Sequence, residues 1–319
     1  MRVLFWGTPE FATPALRALV GEGFDVVGVV TQPDRPVGRS RSVVQPSPVK
    51  RIALDEGIAV LQPERPRGDE FLAEIAALQP ELSVVVAYGH ILPKAVIDLP
   101  TRGTVNIHAS LLPALRGAAP IQGAIREGRV ETGITIMRMV SALDAGPVIF
   151  QSRTAILDDE TYGELSLRLS ELGALTLIEA LSLMELEGTR EDPQDERLAT
   201  YAPKIDRAAT WVDWTAAASN VSRIIRSLDP KPGALTRLHG NEVKLFGAKV
   251  APRTGSMAAG EIVAIDDAGM TVACGDGAVT ITAVQPAGKR RLAPNEWIHG
   301  RGVAIGDHFD AAPSAVSSP

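Results

Sequence analysis

The chain has 319 residues, 45% apolar and 22% charged, an ordinary folded composition long enough for about two domains. A net charge of −6 and only four Trp, three Tyr and seven Phe exclude a uniformly basic nucleic-acid binder and a protein that stacks many bases. One cysteine, Cys274, rules out an intramolecular disulfide and any multi-cysteine zinc or iron–sulfur centre.

Arg2-Val3-Leu4-Phe5-Trp6 reads as a strand ending at Gly7, and Thr8-Pro9-Glu10 opens a helix whose apolar stripe is Ala15, Leu16, Leu19 and Val20. Asp25 to Val30 is a second strand. Ser47-Pro48 and Gly68-Asp69 start two more helices, the latter with Phe71, Leu72, Ile75 and Leu78 on one face. Leu82 to Ala87 is a strand too apolar to face water on either side; Thr104–His108 and Ile134–Met139 add two more, and Tyr162 to Glu187 is a long amphipathic helix. Buried strands separated by helices predict an α/β fold, a doubly wound, mostly parallel sheet of Rossmann-like kind, over residues 1–190. Residues 191–207 read as a linker. A helix follows over Thr215–Leu228, and after Pro230-Lys231-Pro232-Gly233 short valine-rich strands with turns predict a small OB-like β-barrel within 208–311. The Ala/Ser/Pro-rich residues 312–319 predict a frayed tail. No run approaches a membrane span and no signal h-region follows Met1-Arg2, so a cytoplasmic protein is expected.

The turn Gly7-Thr8-Pro9-Glu10-Phe11-Ala12 has one glycine and an acid in the first helical turn, which argues against a dinucleotide site. The informative stretch is Gly103 to Pro113. Strand alternation puts Asn106 and His108 on one face, at the carboxyl end of a central strand, where open α/β sheets bind ligands. An amide donor beside an imidazole can polarise a carbonyl; the structural alternative is a buried Asn–His pair closing the strand. Asp144 in Asp144-Ala145-Gly146-Pro147 can form an Asx turn, or hold a nearby imidazole charged and move a proton. The five His show no metal-binding spacing, so no metal is expected.

Asn106-x-His108, Ser110-Leu111-Leu112-Pro113, Arg116-Gly117-Ala118-Ala119-Pro120-Ile121 and Leu143-Asp144-x-Gly146 resemble the formyltransferases that use 10-formyltetrahydrofolate. Residues 1–12, Thr31-Gln32-Pro33-Asp34-Arg35-Pro36, Pro46 to Lys50, Val86-Ala87-Tyr88-Gly89, Ala199 to Ile205, the Trp211–Trp214 segment and Gln285 to Lys289 resemble, more narrowly, the branch of that family acting on methionyl-tRNA. The likeness runs from residue 1 to about 309. It implies transfer of a formyl group to the α-amine of methionine on initiator tRNA, with tetrahydrofolate as product. It implies Asn106, His108 and Asp144 as catalytic residues, a protonated His108 sharing with Asn106 the role of donor to the carbonyl oxygen. Folate binding falls on Ser110, Leu111, Leu112 and Pro113 and on Val86, Ala87, Tyr88, Gly89, Ile91 and Leu92, with no role for His90. A mobile basic loop carrying Arg35, Arg39, Arg41, Lys50 and Arg51 is expected to meet the acceptor end of the tRNA. Lys289, Arg290 and Arg291, with Arg223 and Arg226, are expected to track its phosphates, or else to be solvated charged faces. A monomer is expected. Other readings are a folate formyltransferase acting on an amino-sugar nucleotide or glycinamide ribonucleotide, a non-catalytic RNA-binding protein, and a hydrolase releasing formate.

Overall fold

In chain order the first elements are β1 (Arg2–Gly7), α1 (Thr13–Gly21), β2 (Asp25–Val30), β3 (Arg35–Val37), β4 (Val43–Gln45), α2 (Pro48–Asp55) and β5 (Val60–Leu61). Then follow α3 (Asp69–Ala77), β6 (Leu82–Val86), α4 (Lys94–Ile97), β7 (Thr104–His108), α5 (Pro120–Glu127), β8 (Glu131–Arg138), β9 (Val148–Ala155) and α6 (Tyr162–Glu185). This computed structural model describes residues 1–37, 43–186, 190–252 and 257–310. Arg39, Arg41, Glu187 and the expected tail at 312–319 lie outside the described residues.

A seven-stranded sheet in the order β5-β2-β1-β6-β7-β8-β9 carries the first unit. The five strands from β5 to β7 are mutually parallel, and β8 runs antiparallel to β7. All five residues of β6 are buried, as a strand of Leu and Val between helical layers must be. Strand order turns back between β1 and β6, the switch point where such sheets leave a crevice at their carboxyl ends. The basic loop expected after β2 is a hairpin in its described arms, Arg35 pairing with Gln45 and Pro36 with Val44.

The second unit holds α7 (Ala218–Ser227), β10 (Ala234–Leu238), β11 (Asn241–Ala251), β12 (Ile262–Asp266), β13 (Gly269–Ala273), β14 (Ala278–Pro286) and α8 (Pro294–His299). Its strands form an antiparallel sheet in the order β10-β11-β14-β13-β12. Both outer strands then meet one later segment. Leu238 bridges to Phe309 and Glu261 to His308, while the Phe309 ring stacks on Trp214 at 5.2 Å, so the sheet closes on itself. Residues 118–131 and 155–165 also belong to this unit, because α5 packs on α7 and Arg126 Nε donates to Ser227 Oγ at 3.0 Å. The stretch read as a linker is tied down up to Tyr201 in the first unit, through Gln194, Glu196 and Thr200.

Candidate active site

Strand β7 lies between β6 and β8, with Asn106 opposite Val85 and Met137, and His108 opposite Thr135. Its alternate residues fix which way it faces. Gly173 of α6 comes so near Ile107 that an added Cβ would sit 3.2 Å from the Ile107 side chain. Ile107 therefore faces the helix, and Asn106 and His108 face the opposite side.

His108 is buried. Its Nε2 lies 2.9 Å from the Leu115 carbonyl oxygen, which only accepts, so Nε2 carries a proton. Nδ1 faces Asp144 Oδ2 at 3.7 Å, a charge contact rather than a hydrogen bond. The same Oδ2 accepts from the Gly117 amide at 2.7 Å. Burial pushes the imidazole below its usual 6.5, and the Asp144 carboxylate and Leu115 carbonyl offset this only in part. Burial thus favours the neutral ring, which, with its proton on Nε2, has its lone pair on Nδ1. This corrects the expected standing imidazolium: desolvation outweighs one carboxylate at 3.7 Å. Asn106 is half-buried, and its carboxamide has no hydrogen-bond partner among the described residues.

The loop after β7 is held from two directions. Thr135 Oγ1 donates to the Ser110 carbonyl at 2.6 Å and accepts from the Leu112 amide at 3.1 Å, and Gln151 Nε2 donates to the Leu112 carbonyl at 2.9 Å. Leu115 N donates to Thr200 Oγ1 at 2.9 Å. The buried Arg116 guanidinium forks onto both carboxylate oxygens of Glu196, at 2.9 and 2.8 Å, and onto Gln194 Oε1. Gln194 Nε2 in turn donates to the carbonyls of Asp144 and Gly146 at 2.8 and 2.7 Å, so one side chain ties the His108 loop to the Asp144 turn. Sequence reasoning missed Thr135, Gln151, Gln194 and Thr200, whose partners lie 16 to 85 residues away along the chain.

Beyond β6, the carbonyl of Tyr88 accepts from Thr8 Oγ1 at 3.2 Å and Gln32 Nε2 at 2.9 Å. The Tyr88 ring packs edge-on against Trp6 at 5.3 Å; its hydroxyl is buried without a partner among the described residues, and burial pushes its pKa up to about 12. Val86 and Leu92 are buried, whereas Ile91 is 90% exposed. A cleft of about 440 Å³ beside it is lined by Arg65, Arg67, Gly89, His90 and Ile91, among others.

The cations expected to meet tRNA differ in availability. Lys50 is held between Asp34 and Gln62, and Arg35 Nη2 donates to Gln32 Oε1 at 3.1 Å. Arg51 is exposed, 4.0 Å from Glu10. In the second unit Arg290 pairs with Glu296 at 2.5 Å, and Arg291 pairs with Asp229 at 3.0 Å while lying over the Phe246 ring. Arg223 stacks near Gly128, and Arg226 donates to the Glu160 carbonyl at 2.9 Å. Lys289 is exposed. Among the described residues no cluster of three or more His, Cys, Asp or Glu could hold a metal ion, and no helix is long and apolar enough to cross a membrane.

Residues 1–181 match the formyl transferase family and residues 204–302 its C-terminal domain. A methionyl-tRNA formyltransferase from Aromatoleum aromaticum is 46% identical over 312 residues, covering 98% of each chain. This chain belongs to the methionyl-tRNA formyltransferase family. The family's member from Marinobacter nauticus is 43% identical over 300 residues, 94% of this chain and 96% of its own. Among solved structures, HypX from Aquifex aeolicus in complex with tetrahydrofolic acid shares the fold with a TM-score of 0.68 at 21% identity, covering 96% of this chain and 48% of that one. This chain thus spans about half the length of HypX.

Proposed function

We infer that this protein transfers the formyl group of 10-formyltetrahydrofolate to the α-amino group of methionine on initiator tRNA, giving N-formylmethionyl-tRNA and tetrahydrofolate. The observation that carries this reading is the full-length likeness to enzymes of that name, joined to a β7 end where an unengaged amide and a neutral imidazole share a face. 10-Formyltetrahydrofolate supplies an activated formyl carbon, and the residues present suit it: a donor in Asn106 and a proton acceptor in His108 on the same face of β7. Asn106 donates an N–H to the carbonyl oxygen as it becomes negative during attack by the amine, a contact worth about 3 kcal/mol in the barrier. His108 Nδ1 takes the proton released by the amine as the new C–N bond forms. Asp144, 3.7 Å away, stabilises the imidazolium so made. The same proton passes to N10 as the old C–N10 bond breaks, returning the ring to its neutral form.

Folate is assigned to the loops after β7 (Ser110, Leu111, Leu112, Pro113) and after β6 (Val86, Ala87, Tyr88, Gly89, Ile91, Leu92). In support, both leave the same end of the sheet, and Ile91 offers an uncovered apolar surface. Arg65 and Arg67, in the cleft beside Ile91, suit the carboxylates of a folate tail. The tRNA is assigned to Arg35, Arg39, Arg41 and Arg51 of residues 1–190 and to Lys289 and Arg290 of the 208–311 domain. Arg291 serves that surface by holding Asp229. The enzyme is read as a cytoplasmic monomer. Incubation with 10-formyltetrahydrofolate and charged initiator tRNA is expected to yield formylmethionine. A product formed only on a free amino sugar or ribonucleotide amine, with none on the tRNA, overturns the reading.

A further inference from the structure

The β3–β4 hairpin stands on a knot of polar side chains that the reaction does not use. Lys50, in the first turn of α2, directs its ammonium to Asp34 Oδ2 at 2.5 Å and Gln62 Oε1 at 2.6 Å. Gln62 Nε2 donates to Asp34 Oδ1 and to the Gln32 carbonyl, each at 2.9 Å. The Gln32 side chain then accepts from Arg35 and donates to the carbonyl of Tyr88. On the return side Ser47 Oγ accepts from the Lys50 amide at 3.1 Å and lies 2.8 Å from Thr31 Oγ1. Both ends of the hairpin are therefore fastened, at Asp34–Arg35 and again at Ser47.

The lysine and aspartate side chains are only 19% and 21% exposed. Burial pushes the Asp34 carboxyl up, but hydrogen bonds from Lys50 and Gln62 and the charge of the ammonium outweigh it and hold the group below its usual 3.8. For Lys50 to reach a phosphate it would have to leave two hydrogen bonds and strand a half-buried carboxylate, an exchange that gains little. Sequence alone groups Lys50 with its arginine neighbours; the structure separates it from them.

Resting on the reading that this protein formylates methionyl-tRNA, we propose that Lys50 is a positioning residue. With Asp34 and Gln62 it fixes the base of the hairpin, so that Arg35 is presented to the tRNA, and it touches no phosphate itself.

Charge arithmetic makes the two roles give opposite signs. If Lys50 contacted phosphate, Asp34→Asn would remove a competing anion and lower the KM for tRNA. If Lys50 positions the hairpin, Asp34→Asn loosens the knot and raises that KM, by about tenfold for the loss of one such half-buried pair. The KM for 10-formyltetrahydrofolate is expected to stay at the wild-type value. A KM for tRNA that falls or does not change overturns the proposal. Should Asp34→Asn fail to fold, Gln62→Leu reads the same sign, since it frees the ammonium while keeping both charges. A wild-type enzyme inactive on methionyl-tRNA refutes the activity itself; these variants, compared with an active wild type, test the positioning alone.

Discussion

The end of β7 and the cluster Lys289-Arg290-Arg291 carry equally clear sequence signals, yet the structure treats them differently. On β7 the backbone decides: in a strand wedged between two others, residues 106 and 108 must share a face, and Gly173 behind Ile107 leaves one way for that face to point. In the cationic cluster no backbone rule applies. Three adjacent basic residues end in three environments, one open, one on Glu296, and one clamped on Asp229 and laid over Phe246. A motif carried by a regular element keeps its meaning in the fold; the meaning of a charge is set by what arrives opposite it from elsewhere in the chain.

The sharpest attempt to break that contrast is at the strand. Asn106→Ala or His108→Ala is expected to lower kcat by about 100-fold or more with the fold intact by circular dichroism, since each removes a group acting at the reacting carbon. Near-wild-type turnover would return the pair to a structural role. The His108 ring adds a pH signature. Its folded pKa lies below 6.5, so the unfolded chain binds the proton first: its stabilising contribution is complete above about pH 6.5 and declines as pH falls towards the folded value. His108→Asn should flatten that decline in an acid melt.

A middling effect is expected in the second unit. Arg291→Ala should destabilise it by about 1–2 kcal/mol, because the Asp229 side chain is 7% exposed and keeps, among the described residues, only the Gly247 amide; partial exposure of the arginine limits the loss. Lys289→Ala should leave the melting temperature unchanged and weaken tRNA binding with a shallower salt slope. Equal melting temperatures for the two variants would remove the distinction drawn between them. The smallest effect belongs to Tyr88→Phe. The hydroxyl is buried without a partner among the described residues, so its loss should change stability by about 1 kcal/mol or less, and in the stabilising direction. A clear rise in the KM for the formyl donor would instead assign that hydroxyl to folate.

Much of the first unit was legible because periodicity and burial agree there: β2 runs Asp25–Val30 and β7 Thr104–His108, as the valine runs and flanking glycines indicate. The edge strand β9 was not legible, since Val148–Ala155 runs three apolar residues into four polar ones, with neither the alternation nor the continuous apolar run that marks a strand. Nor was the grip of Gln194 on the Asp144 turn, because a lone glutamine in an acidic, proline-containing stretch has no local signature. The protonation of His108 was misjudged from sequence for a related reason. A carboxylate partner can be guessed from a motif, but the depth of burial that opposes it belongs to the assembled sheet.

The bridges made by His308 and Phe309 also bear on how the barrel comes to exist. These two residues leave the ribosome after every strand they join. Until they emerge, the nascent sheet presents both flanks, β10 and β12, as open hydrogen-bonding templates to any neighbouring polypeptide. The domain thus completes its ring only after all five strands have been made, and a product truncated a few residues before Asp307 would be prone to pair with its copies rather than with itself.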